Sequence, residues 1–243
     1  MAIRYRTQGF ILKKTDRGES DRIFTIYTRD FGKLEILAKA IRKIKSKLRK
    51  GTEIFYLSEI EFVQGKIYKT LIDAVLVENF RKIGKDLRKM ALSFRILEIL
   101  DNLIRKEEKD EKTWNLLINT FKELNRQPSI ASNQQLLFYY FIWNFLSVLG
   151  YKPELNICSL CNKKLVPKNL YFNFKEGGVT CEGCFRKAGE GERISPETIK
   201  VLRFILEKKW RVVSRLRIEE ESFISLKRIS DYWIKFLPQA AIF

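Results

Sequence analysis

Up to about residue 78 the apolar positions alternate. In Arg22 to Thr28, RIFTIYT, Phe24 and Ile26 share one face while Thr25 and Tyr27 share the other, the period of a strand with one side buried. Lys33 to Ala38 repeats the pattern through Leu34, Ile36 and Ala38, and Glu59 to Val63 sets Ile60 and Phe62 against Glu59 and Glu61. Gly9 to Lys14 adds a strand at the start. Ile67 to Val77, entered through Gln64 and Gly65, adds a long one at the end. Asp16-Arg17-Gly18 and Asp30-Phe31-Gly32 read as short hairpin connections. Antiparallel strands at this spacing predict a small five-stranded barrel of the OB type over residues 1–78.

From Asn79 the period changes. Ile83, Leu87, Met90, Ala91, Phe94, Leu97 and Ile104 recur at helical spacing. Trp114, Leu117, Ile118, Phe121 and Leu124 mark a second helix. Ser132 with Gln135 resembles a capping box that opens a third, which runs to Leu149 and is apolar nearly all round, so it belongs at the centre of a helical domain. Gly150 and Pro153 stop it. Ser195-Pro196-Glu197 is a helix start with proline in the first turn. Two last helices are expected over Pro196 to Lys209 and Glu219 to Leu237, the latter ended by Pro238. The expected organisation is therefore a multi-domain α+β chain. The barrel over 1–78 is followed by an all-α domain in two parts, 79–157 and 185–243, with a cysteine module inserted at 158–184.

Charge adds to this picture. The chain carries 47 Lys and Arg against 29 Asp and Glu, a formal net charge of +18. A field of that sign favours polyanions, chiefly nucleic acid. The excess gathers in 39-KAIRKIKSKLRK-50, which falls between the third and fourth strands, where such barrels carry variable binding loops. Lys39, Arg42, Lys43, Lys45, Lys47, Arg49 and Lys50 have no acid among them. A cluster of one sign repels itself unless an anion visits. We take these residues, together with Arg22, as the candidate phosphate contacts. Tyr27, Phe55, Tyr56 and Tyr68 are candidates to stack on bases, with the barrel core as the competing place for each. No stretch reads as a membrane span, because the run Leu136 to Gly150 is too short and is broken by Asn144. The apolar patch Gly9 to Leu12 is no signal peptide, so a cytoplasmic protein is expected.

All four cysteines lie in 158-CSLCNKKLVPKNLYFNFKEGGVTCEGC-184, and the chain has no histidine. Two C-x2-C pairs, nineteen residues apart, can approach one ion from two knuckles. Four thiolates at about 2.3 Å complete a tetrahedral Zn²⁺. An iron–sulfur cluster and thiol redox chemistry are the alternatives. A closed site of Cys158, Cys161, Cys181 and Cys184 has no open position for water or substrate and is structural. Lys163, Lys164, Lys168, Lys175, Arg186 and Lys187 surround it, either to balance its charge or to extend a nucleic-acid surface.

Without histidine there is no imidazole base and no Ser-His-Asp relay. Neither G-x-x-x-x-G-K-[ST] nor G-x-S-x-G occurs. Carboxylates are plentiful, and Asp16, Glu19 and Asp21 lie close enough together to bind a nuclease-type metal, but acids beside Arg17 and Arg22 in a turn serve more often as caps and ion pairs. No catalytic residue is assigned, and a binding protein is expected. An RNA-binding or ribosome-associated protein is the alternative, since OB barrels and four-cysteine zinc ribbons are common there.

The run 8-QGFILKKTDRGESDRIFTIYTRDFGKLEILAKAIRKIKSKL-48 resembles the N-terminal barrel of the RecO recombination-mediator family, with its GESDRI…T…GK core followed by AKGARRxKS. The segment 149-LGYKPELNICSLC-161 is similar to that family's LGYxPxLxxCxxCG, and 174-FKEGGVTCEGC-184 to its GGVxCxxC. Ala40 and Asn162 stand where the family pattern has glycine. The resemblance implies an OB barrel, a helical domain with an inserted zinc module, and a non-enzymatic role at the nucleoid. It implies binding to single- and double-stranded DNA, annealing of complementary strands, and action with RecR to help RecA replace single-strand-binding protein (SSB). An acidic, phenylalanine-ending SSB tail wants an apolar pocket rimmed by cations. Trp210, Trp233 and Phe236 near Arg211, Arg215, Arg228 and Lys235 are candidates for it, with the helical core as the competing place for the aromatics.

Overall fold

The computed structural model of the chain describes residues 3–105, 107–128 and 133–240. It divides into two compact units, Met1–Ile130 and Ala131–Phe243.

The first unit is built on β1 (Arg4–Arg17), β2 (Asp21–Thr28), β3 (Gly32–Ala38), β4 (Leu57–Val63) and β5 (Lys69–Glu78). They form a closed barrel in the order β1-β2-β3-β5-β4, the OB-type arrangement the alternation predicted. β1 is longer than its apolar stretch because it serves two partners. Arg4 to Phe10 pair with β4 and Gly9 to Arg17 with β2, whose pairing carries a register shift between Ile11 and Lys13. The barrel closes through a short parallel pairing, Ile36 with Lys69 and Leu37 with Thr70. Ile11, Phe24, Ile26, Leu34, Ile36, Ile60, Phe62 and Leu71 fill the interior.

The other face of β1 and β2 is covered as well. Phe10 meets Phe121 at 4.5 Å, and the Tyr27 ring lies 6.2 Å from Trp114. Both aromatics come from α3 (Glu111–Arg126), whose Trp114, Leu117, Ile118, Phe121 and Leu124 are buried along one stripe as their spacing predicted.

The preceding helical region differs from expectation. It is a single turn, α1 (Arg81–Gly84), followed by α2 (Leu87–Leu103), because the Asp86 carboxylate accepts the amides of Arg88 and Lys89 and restarts the helix. The buried stripe of α2 is Lys89, Ser93, Ile96, Leu97 and Leu100, while Leu87 is 83% exposed and Phe94 is half-exposed. Lys89 can hold a core position because its ammonium donates to the Gln127 carbonyl at the end of α3.

In the second unit α4 (Asn133–Val148) is buried from Leu136 to Leu146 except at Tyr140 and Asn144. Ser132, the expected cap, lies outside the described residues. The helix is surrounded by α6 (Pro196–Glu207), the short α7 (Trp210–Val213) and α8 (Glu220–Ala240). Asn144 donates to the Ile205 carbonyl at 3.0 Å, and the Trp143 indole donates to Ser230 at 2.9 Å. Ser195 caps α6 by accepting the Thr198 amide at 3.1 Å. α8 does not stop at Pro238 but runs to Ala240. A proline that close to a helix end forfeits only one amide bond.

The cysteine segment carries β6 (Leu170–Asn173), β7 (Gly178–Thr180) and α5 (Glu182–Ala188), with β8 (Glu192–Ile194) after it. The strands form a sheet in the order β7-β6-β8. Phe172 of β6 packs on Trp143 of α4 and Trp233 of α8, which seats the sheet on the helices. No helix among the described residues is long and apolar enough to cross a membrane.

Candidate nucleic-acid interface and metal centre

The cationic run lies between β3 and β4, as its place in the sequence predicted. Lys39, Arg42, Lys43, Lys45, Lys47, Arg49 and Lys50 are exposed, and Arg22 on β2 is half-buried. What the sequence did not show is how firmly this segment is tied down. Ile41 is buried in the barrel core. The Asp21 carboxylate accepts the Ala40 amide at 2.7 Å, and Ser20 accepts the Arg42 amide at 3.0 Å. At the far end Lys47–Gly51 winds into a 3-10 turn. A Cβ on Gly51 would fall 2.2 Å from the Ala74 carbonyl oxygen of β5, so only glycine lets the turn rest there. Ser58 donates to the Gly51 carbonyl at 2.6 Å, and Lys14 of β1 pairs with Glu53. The cations between these anchors are presented to water from a fixed base.

The structure brings an acid to part of the cluster. Asp16 of β1 pairs with Arg22 at 2.6 Å and lies 3.7 Å from Arg42. The Arg22 hydrogen bond holds the Asp16 carboxyl below its ordinary range, helped by the charge of Arg42. The Ala40 amide lowers Asp21 in the same way. Lys39, Lys43, Lys45, Lys47, Arg49 and Lys50 form no ion pair among the described residues. Asp16 and Asp21 are thus engaged in pairing and capping, and the cluster among the described residues that could hold a metal is the set of cysteines.

The aromatic candidates separate. Tyr27 and Phe55 are buried, Phe55 against Phe94 and Phe121. Tyr56 packs against the barrel core. Tyr68 is partly exposed with the Arg17 guanidinium 4.3 Å over its ring. Arg17 is the cation sequence reasoning overlooked, since its partner is distant in the chain.

In the second unit the sulfur atoms of Cys158, Cys161, Cys181 and Cys184 lie within 4.8 Å of one another. Cys161 and Cys181 are 3.9 Å apart, close to the roughly 3.8 Å edge of a tetrahedron with 2.3 Å metal–sulfur bonds. That separation is far beyond a disulfide bond, about 2.05 Å, and all four cysteines are free. The first pair sits on a knuckle closed by the Cys158 amide on the Lys163 carbonyl at 2.8 Å and the Asn162 amide on the Cys158 carbonyl at 2.9 Å. The second pair occupies the cap and first turn of α5, and Tyr171 stacks on Phe185 at 3.6 Å to hold that helix to β6. Burial works against ionising Cys158, but amides of Cys161, Cys181 and Leu160 around its sulfur bring it down to about 6. Cys184 is pushed up to about 12 by its hydrogen bond to Cys161, by burial and by the neighbouring sulfurs. Four sulfurs this close ionise together only with a cation among them, and the donor set fits a thiophilic metal ion.

Both glycine replacements noted in the sequence fall on left-handed backbone. Ala40 has φ +52° and Asn162 φ +58°, the region where a Cβ is costly and asparagine is tolerated better than alanine.

Comparison with known proteins joins the two halves. The family described as "Recombination protein O N terminal" matches residues 1–80, and "Recombination protein O C terminal" matches residues 84–238. The chain belongs to the RecO family. It is 34% identical over 233 residues to the DNA repair protein RecO of Dehalococcoides mccartyi strain CBDB1, covering 96% of this chain and 90% of that one. It is 29% identical to the RecO of Caldanaerobacter subterraneus subsp. tengcongensis, over 88% of this chain and 84% of the relative.

Replacing Ala40 by glycine is expected to stabilise the first unit by about 1 kcal/mol in denaturant melts. An unchanged or lowered midpoint would show that the left-handed backbone is not held there. Elemental analysis of the purified chain is expected to find about one thiophilic metal ion, with Cys158→Ser abolishing retention and exposing residues 158–188 to proteolysis. A metal-free chain that resists proteolysis equally well would contradict the site.

Proposed function

We propose that this chain is a non-enzymatic DNA-binding protein of recombinational repair. It binds single- and double-stranded DNA, anneals complementary strands and, with RecR, helps load RecA onto SSB-covered DNA. The observation that carries the reading is the anchored segment on the OB-type barrel, whose Lys39, Lys43, Lys45, Lys47, Arg49 and Lys50 face water and form no ion pair among the described residues, in a chain of a DNA-repair family. Phosphates neutralise such a cluster and release their condensed counterions, so binding is salt-sensitive and largely indifferent to sequence. Arg42 and Arg22 share Asp16 and are the better-positioned, less available contacts. Annealing follows from the same field, because a cationic surface screens the repulsion between two strands while their bases find register. Bond-breaking chemistry is not part of the reading: the chain has no histidine, and Asp16 and Asp21 are occupied by Arg22, Arg42 and Ala40.

The metal of the cysteine site is a single Zn²⁺ in this reading. With four thiolates its coordination is complete, so its work is to fold the module. The protein acts in the cytoplasm, at the nucleoid.

For the SSB tail, Trp233 is ruled out by burial against Trp143. A cleft of about 430 Å³ between the small sheet and α8 suits it better. Leu170, Ile194, Pro196 and Ile224 supply apolar lining, and Arg193 and Arg228 supply positive charge against the one acid of the lining, Glu221. Arg228 is partly engaged by Glu192 at 2.8 Å, while Arg193 is exposed.

Reversal of Lys43, Lys45 and Lys47 to glutamate is expected to weaken oligonucleotide binding at least tenfold in ~0.1 M salt and to slow annealing, with the barrel's melting unchanged. Undiminished affinity would remove the segment from the mechanism, and strong preference for RNA over DNA of the same sequence would replace the reading. An acidic peptide ending in phenylalanine is expected to bind the parent chain, and Ile224→Glu to abolish that binding; equal binding by both would vacate the cleft.

A further inference from the structure

The cysteine module has its own cationic surface, and the structure separates the two roles open to it. If its basic residues only balanced the sulfur charge, their ammonium groups would approach the sulfurs. Instead, the sulfur atoms engage one another and the backbone, as in the Cys181 amide on Cys158 at 3.4 Å. Two of the cations are spent on acids, Lys175 on Glu190 at 2.6 Å and Arg186 on Glu182. Lys163, Lys164, Lys168 and Lys187 are exposed and form no ion pair among the described residues.

Three of these four flank one short loop, KKLVPK, between the first knuckle and β6. The loop is fixed at both ends. Lys164 bridges Ile157 across the knuckle, and Asn169 donates to the Glu182 carboxylate of α5 at 2.9 Å. At its tip Val166 is 67% exposed, and Pro167 beside it is exposed too. An apolar tip gains nothing from water, and the three lysines beside it repel one another, with only the Glu182 carboxylate acting on Lys168 from nearby. One ligand class relieves both: a strand whose phosphates meet cations while sugars and unstacked bases meet apolar groups. An acidic peptide would satisfy the charge, but its carboxylates are set by sequence, whereas phosphates recur along any strand.

We propose that the loop Lys163–Asn169 is a second DNA contact, separate from the barrel segment. Lys163, Lys164, Lys168 and Lys187 meet the backbone of a single strand, and Val166 and Pro167 lie against its sugars and bases. The proposal rests on the reading that the chain binds DNA. It gives the zinc-type module a task beyond its own folding, since the ion fixes the knuckle from which the loop springs. Two contact surfaces in two units also let one chain hold two strands, which annealing requires.

The test uses the full chain and a fluorescent single-stranded oligothymidine, titrated across a salt series. K163E/K164E/K168E is expected to retain the metal and its melting profile, to bind about tenfold more weakly at ~0.1 M salt, and to show a log–log salt slope shallower by about 2, at ~0.7 per lost phosphate contact. A parent chain that binds while the variant matches it in affinity and slope overturns the proposal alone. A parent with no affinity for any oligonucleotide overturns the functional reading itself. Should the triple variant lose its metal, photo-crosslinking decides. Benzoylphenylalanine installed at Val166 is expected to attach to the strand, as it should from exposed Ile44 in the barrel segment. Adducts from Ile44 with none from Val166 overturn the proposal.

Discussion

Like charges crowded on one segment push each other apart, and the first unit is organised around resisting that push. Six cations that form no ion pair among the described residues are held on the barrel because the ends of their segment are fixed: Ile41 in the core, the Ala40 amide on Asp21, Gly51 against Ala74, and Glu53 on Lys14. Each anchor is a short-range contact that salt screens little, whereas the repulsion is a long-range term spread through water. The fold therefore keeps a loaded surface at modest cost, and a polyanion that neutralises it meets little reorganisation. Asp16 moderates the load by taking Arg22 and Arg42, which leaves the lysines and Arg49 as the available charge.

The second unit solves a different problem. Its small sheet has strands of three or four residues, too short to persist alone. Phe172 secures it to Trp143 and Trp233, and the four cysteines of the same segment gather their sulfurs within 4.8 Å of one another. Backbone amides lower Cys158 while the hydrogen bond to Cys161 and the neighbouring sulfurs raise Cys184, so the four sulfurs do not ionise alike.

Much of this was legible in the chain. Alternation located β2, β3 and β4 because one face of each is buried in a closed interior, and the α3 stripe was legible because five apolar residues recur at helical spacing on its buried face. The C-x2-C pairs announced the gathering of the four sulfurs, because two knuckles at that separation can approach one point. The misreadings have local causes. In α2 the core stripe includes Lys89, a residue that pattern reading assigns to water, and its partner Gln127 lies a whole helix away. The outer face of β2, with polar Thr25 and amphipathic Tyr27, looked solvent-facing but is covered by α3. By contrast, the pairing and capping favoured for Asp16 and Asp21 is what the structure shows, with Arg22 and the Ala40 amide as partners. The cleft by α8 joins residues far apart in the chain, so no local pattern marks it.

The central claim is that this surface recognises the nucleic-acid backbone through charge. The most direct measurement is the affinity of the unaltered chain for single-stranded oligonucleotides of unrelated sequence across a salt series. The account predicts similar affinities for all sequences and a log–log slope near −3 or steeper, from about four or more phosphate contacts. A flat salt dependence, or binding confined to one sequence, would contradict it.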